Sequence, residues 1–202
     1  PTGPTGPTGF ISITGTNWAD YVFWNSNTNA WDVGNSNITL GSFAGQSNQK
    51  AYAISLGYQS GQTGQATGSV AIGYQAHYYS DINSNYSIAI GYRAFLHGAG
   101  SITGGTNIYN IAIGSESLGN MTNGGDDNIA IGKRALYEPY NDYEGVYASA
   151  TQGVYRSIAI GSFALSKGAG NDNIAIGYQS LYSAGGPSNP SVPYNKIGRA
   201  HV

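Results

Sequence analysis

The sequence predicts an all-β protein, a homotrimeric solenoid of stacked coils joined by parallel strands, preceded by a short stalk segment. Two observations predict it. A short motif ending in glycine recurs from Asn37 onward, and the N-terminus keeps a strict three-residue period. The chain therefore divides into a stalk end (1–9), an aromatic neck (10–35) and a repeat head with inserted loops (36–202).

The motif is a small polar residue, a β-branched residue, Ala or a near substitute, Ile or Leu, then Gly. It appears as Asn37-Ile38-Thr39-Leu40-Gly41, Ala53-Ile54-Ser55-Leu56-Gly57, Ser69-Val70-Ala71-Ile72-Gly73 and Ser87-Ile88-Ala89-Ile90-Gly91. It continues as Asn110-Ile111-Ala112-Ile113-Gly114, Asn128-Ile129-Ala130-Ile131-Gly132, Ser157-Ile158-Ala159-Ile160-Gly161 and Asn173-Ile174-Ala175-Ile176-Gly177. A ninth copy, Asn195-Lys196-Ile197-Gly198, lacks a residue. Three places past the glycine, a small residue holds in every full copy: Ala44, Ser60, Ala76, Ala94, Ser117, Ala135, Ala164 and Ser180.

Alternation along a strand sends the two isoleucines to one face and the alanine to the other. Both faces are apolar, so both need cover: one from the coil's own interior, the other from sister chains. The Ala face permits close approach and is expected nearer the threefold axis. The motif glycine, lacking Cβ, permits a positive φ or a tight backbone contact where the chain leaves the strand.

Successive motif glycines lie 16, 16, 18, 23, 18, 29, 16 and 21 residues apart. The minimum is what one coil of two strands of about five residues and two turns requires. Longer spacings are insertions, at 95–109, 137–156 and 182–194.

Pro1-Thr2-Gly3-Pro4-Thr5-Gly6-Pro7-Thr8-Gly9 has Gly in every third place. That period fits the collagen triple helix, in which only Gly fits on the axis and three chains are obligatory. The alternative is a Pro/Gly-rich flexible linker. All three tryptophans, Trp18, Trp24 and Trp31, lie between Phe10 and Gly34. There Tyr21-Val22-Phe23-Trp24 and Ala30-Trp31-Asp32-Val33 read as two short strands around an Asn-rich turn. This aromatic density suits a packed collar between stalk and head, or else a sugar-binding platform.

At these repeats the sequence resembles the head domains of trimeric autotransporter adhesins of the YadA type. Their repeats centre on Asn-Ser-Val-Ala-Ile-Gly, which Ser69-Val70-Ala71-Ile72-Gly73 nearly matches. The likeness covers roughly residues 36 to 200. It implies a left-handed parallel β-roll, three chains side by side and an adhesive role on an extracellular surface. The adhesin repeat is shorter, however, and its stalk is a coiled coil. Asn-x-Ala-Ile-Gly repeats behind Gly-Pro-Thr tracts also resemble fibre proteins of giant viruses, phages and some bacterial spores or cells.

Composition excludes several other classes. Charged residues make up 9% of the chain, against about 25% in ordinary globular domains. A net charge of −2 with scattered basic residues gives no reason to expect a nucleic-acid partner. Without cysteine, disulfides and thiolate metal sites are impossible. No apolar run approaches the roughly 20 residues of a membrane helix, so membrane insertion is not expected. The chain opens inside one repeat and closes on a broken one, and is expected to be a fragment of a longer protein.

No enzymatic constellation emerges. His77, His97 and His201 fit no metal-ligand pattern, and no Gly-Lys-Ser/Thr phosphate loop exists. Gly124-Gly125-Asp126-Asp127 and Asn141-Asp142-Tyr143-Glu144 follow no calcium-loop spacing and read as solvated turns, so neither metal nor cofactor is expected. Ligand binding is expected on the inserted loops, above all through Tyr137, Tyr140, Tyr143, Tyr147 and Tyr155. Tyr gives a rigid amphipathic surface for sugar or protein at modest entropic cost. Equally, these rings could pack on the roll and order the loop. Arg93, Lys133 and Arg134 follow motif glycines and suit either an anionic glycan or a solvated face.

The expected function is thus a fibre head attaching to a glycan or protein on a host or cell surface. The alternatives are a structural knob that trimerises a collagen-like fibre and, more remotely, a glycan depolymerase with carboxylates contributed by loops of different subunits.

Overall fold

Every full copy of the motif forms one three-residue strand, and the eight strands pair in chain order. The computed structural model describes residues 13, 15–25, 27–34, 36–80, 84–98, 108–119, 125–137, 154–166 and 171–182. The Pro-Thr-Gly triplets of residues 1–9, Gly198 and most of the three insertions lie outside the described residues. Two compact units are present, Pro1–Ser36 and Asn37–Val202.

In the first unit, β1 (Val22–Asn25) and β2 (Ala30–Val33) form an antiparallel hairpin with Trp24 opposite Trp31. The two indoles meet edge to face at 5.6 Å. Asn25 Oδ1 accepts the Asn27 N–H at 3.0 Å, an Asx turn that starts the reversal. Upstream, Asp20 accepts the backbone N–H groups of Thr16 and Asn17 at 2.8 Å each. Those bonds hold its carboxyl below the usual range, the Asn17 amide contributing most.

In the second unit, β3 (Ile38–Leu40), β4 (Ile54–Leu56), β5 (Val70–Ile72), β7 (Ile88–Ile90), β9 (Ile111–Ile113), β10 (Ile129–Ile131), β11 (Ile158–Ile160) and β12 (Ile174–Ile176) make one parallel sheet. Register is uniform: Ile129 lies beside Ile111 and Ile158, and Ala130 beside Ala112 and Ala159. Two further strands, β6 (Tyr79–Ser80) and β8 (His97–Gly98), pair separately on the return side of the coil. No helix occurs among the described residues.

The structure corrects two expectations. Among the described residues the return side carries no five-residue strand; apart from β6 and β8 it shows only single bridges, Ser47 to Thr63 and Thr63 to Tyr79. The cause is local. Residues two and four places after each motif glycine, such as Gln75 and His77 or Arg134 and Leu136, have φ near +50°. Alternate left-handed positions curl the chain through turns rather than extending it. That conformation costs an L-residue about 1–2 kcal/mol, and coil-to-coil hydrogen bonds offset it: Gln75 N–H donates to Tyr58 O and Arg93 N–H to Tyr74 O.

The second correction concerns the strand faces. The alanines face the coil's own interior, not a neighbouring chain: Ala71, Ala89, Ala112, Ala130, Ala159 and Ala175 are fully buried within one chain. They meet Phe95, Leu118, Leu136 and Leu165, which come from the return side and are also fully buried. Small residues on the strand and large ones opposite fill a coil too thin for isoleucine on both sides. The isoleucines point outward.

The first two coils solve the same filling problem with polar groups. Gly45 and Gly61 stand where later coils carry Phe or Leu, and glutamines take the space; a Cβ on Gly61 would lie 2.6 Å from Gln65 Oε1. Gln65, fully buried, donates to Ile54 O at 2.9 Å and Ser69 O at 3.1 Å. Its Oε1 accepts from Gln49 at 2.9 Å and from the Ser55 hydroxyl. All of its polar atoms are therefore satisfied, as burial requires.

His77 breaks that rule. It is fully buried, stacked 4.9 Å from Phe95, and neither ring nitrogen has a hydrogen-bond partner. Burial pushes its pKa down from 6.5 to about 4. Between those values the unfolded chain binds a proton that the folded chain refuses, so stability is whole above pH 6.5 and falls on acidification. The slope is about 1.4 kcal/mol per pH unit, reaching roughly 3 kcal/mol at pH 4. Urea unfolding at a series of pH values should show this loss. His77→Phe, which places in this coil the residue the next one carries, should abolish it.

Candidate functional site: an aromatic and polar ladder on the turn side

Because the coils stack in register, each position after the motif glycine becomes a column of side chains. The first position carries Tyr58, Tyr74 and Tyr92 on successive coils. Their rings stack at 5.5 and 5.4 Å with interplanar angles of 15° and 8°, and Phe43 closes the row edge-on at 5.9 Å from Tyr58. The three tyrosines are 44–50% exposed. Beside them runs an amide pair, Gln75 Nε2 donating to Gln59 Oε1 at 2.9 Å.

Further along, the same two columns turn charged and aromatic. Arg134 Nε donates to Glu116 Oε2 at 2.6 Å, and its guanidinium lies 4.9 Å from the Tyr137 ring centre. Lys133 sits 5.9 Å from the ring centre of Phe163, and Arg93 5.9 Å from that of Tyr92. The three cations proposed for an anionic glycan therefore all rest on aromatic rings of their own face, and Arg134 is also ion-paired.

Five places before the glycine, a third column lines the opposite end of each strand. Tyr86 and Tyr109 stack there at 5.7 Å and 13°. Arg156 meets Asp172 through two bonds of 2.6 and 2.9 Å. The Arg156 hydrogen bonds hold the Asp172 carboxyl below its ordinary range, and the guanidinium rises correspondingly.

Of the five tyrosines expected to bind ligand, Tyr140, Tyr143 and Tyr147 lie outside the described residues. Tyr137 packs against the preceding coil: a Cβ on Gly119 would lie 2.5 Å from its ring. Tyr155 is half-buried at the far end of the same insertion, its N–H donating to Asn171 Oδ1 at 3.1 Å. Sequence reasoning passed over Tyr58, Tyr74 and Tyr92, although Gly-Tyr-Gln recurs at 57–59, 73–75 and 177–179 and was the signal available.

Asp126, in one of the two acidic turns that lack calcium-loop spacing, accepts the Ile108 N–H at 2.9 Å. Among the described residues no group of three or more His, Asp or Glu is placed to hold a metal ion, and no helix is long and apolar enough to cross a membrane. What the columns offer chemically is a row of phenol edges and amides at the coil repeat, followed by charged groups on later coils. No protein-family model, curated protein or solved structure matches this chain.

Proposed function

We propose that this chain is the non-catalytic head of a trimeric surface fibre, a left-handed roll that attaches to a glycan or protein on a host or cell surface. The observation that carries the reading is the outer face of the sheet. Ile, Leu and Val form two continuous rows there, and some are left strongly exposed in one chain, Leu40 at 71% and Ile176 at 52%. An apolar strip running over eight coils is larger than a monomeric surface ordinarily leaves wet. Two sister copies, each bringing the same rows, cover it with matching periodicity, and a collagen-like stalk requires the same number of chains.

Light scattering should give three times the 21.0 kDa chain mass. Ile90→Asp, on the outer row of a central strand, should lower that mass. A folded wild-type chain at single-chain mass would remove the reading. For attachment, binding of the trimer on a glycan array should disappear when Tyr140, Tyr143 and Tyr147 are replaced by Ala. A flat array, with a stalk that melts earlier once the head is deleted, would assign the head to trimerisation alone.

A further inference from the structure

We propose that the stacked tyrosine pairs are sites of intrachain oxidative coupling, at which a one-electron oxidant of the haem-peroxidase and hydrogen peroxide class joins neighbouring coils through dityrosine bonds. Three observations support this. Tyr58, Tyr74 and Tyr92 form one row and Tyr86 and Tyr109 another, all near-parallel and 5.4–5.7 Å apart. In rings related by a near-translation, each ortho carbon lies about one coil repeat from its counterpart. All five rings are also 44–55% exposed, so an oxidant reaches them and the side chains retain room to close the remaining gap. Finally, no disulfide can serve as a covalent staple in a chain without cysteine.

The chemistry balances. Each phenol gives up one electron and one proton to become a phenoxyl radical. Two adjacent radicals form a carbon–carbon bond between their ortho positions, and the hydrogen on each bonded carbon then moves to its oxygen, restoring two phenols. The peroxide accepts the two electrons and two protons and leaves as two water molecules. Register holds the partners together, so coupling within the chain outpaces encounter between molecules in dilute solution.

The test is to treat the dilute folded protein with a haem peroxidase and hydrogen peroxide, then to follow dityrosine fluorescence and map linked peptides by tandem mass spectrometry. The Tyr86–Tyr109 bond is diagnostic, because trypsin cleavage after Arg93 leaves its two partners on different peptides. Expected are links Tyr58–Tyr74, Tyr74–Tyr92 and Tyr86–Tyr109, each with loss of two hydrogens, in a product that runs as a single chain on a denaturing gel. Tyr74→Phe keeps the ring in the stack but removes the phenol; both links to residue 74 should vanish while Tyr86–Tyr109 remains. Oxidised protein without these links, chains joined only to other chains, or an undiminished set of links in Tyr74→Phe would each overturn the proposal.

Discussion

Gly132→Ala is expected to unfold the repeat unit or to destabilise it by several kcal/mol. Gly132 has φ +131°, and an added Cβ would lie 2.7 Å from both the carbonyl carbon and the oxygen of Gly161 in the next coil. Neither obstacle can be relieved by rotating a side chain, because both are main chain. Backbone strain of about 1–3 kcal/mol adds to overpacking of similar size, so a loss on the order of 3–5 kcal/mol follows. Circular dichroism with urea titration would measure it. The same contact recurs at Gly57, Gly73, Gly91 and Gly114, so the glycine column is the seam along which successive coils touch backbone to backbone.

Asn128→Ala should cost nearly as much, for an electrostatic reason. Asn128 is fully buried immediately before β10. Its Nδ2 donates to Val154 O at 2.7 Å and Asn110 Oδ1 at 3.1 Å, and its Oδ1 accepts the Ser157 N–H at 3.0 Å. Truncation strands a buried carbonyl and a buried N–H, at about 1–3 kcal/mol each. Asn128→Ser should lose less. Serine fills this position in other coils, and Ser157 Oγ accepts the Asn173 N–H at 3.3 Å in the equivalent bond. A ranking in urea midpoint of wild type, then Ser, then Ala is expected; equal midpoints for Ser and Ala would show that the ladder bond contributes nothing.

Much of the frame was legible because it depends on main-chain geometry that few residues satisfy. Glycine at a seam where a Cβ meets backbone, and a small residue three places on, mark every coil, and the strands fall where Ile-Ala-Ile placed them. The facing of those strands was not legible. An Ile-Ala-Ile triplet is apolar on both sides, and close approach seemed to favour alanine at a subunit boundary. The deciding residues lay on the return side, where Phe95, Leu118, Leu136 and Leu165 occupy the interior and leave room only for alanine opposite. The return strand was overestimated because left-handed conformations at ordinary residues such as Arg93 and Glu116 carry no composition signal.

A cluster of tyrosines in a long insertion suggested recognition; of these, Tyr137 packs on Gly119 and Tyr155 is half-buried, while Tyr140, Tyr143 and Tyr147 lie outside the described residues. The tyrosines that form an exposed array are spaced a whole coil apart and become neighbours only after stacking. His77 was hidden in the same manner: its place beneath Phe95 is fixed by coil register, not by anything adjacent in sequence.

The pairing of β10 with β11 spans 29 residues between motif glycines, yet keeps the register that β3 and β4 reach across 16. Closing a longer excursion costs only about 0.6 kcal/mol for each doubling of its length. Lengthening or rewriting the segment between two neighbouring strands is therefore nearly free, while altering the coil itself is not. Such a scaffold can diversify its surface under selection without renegotiating its architecture.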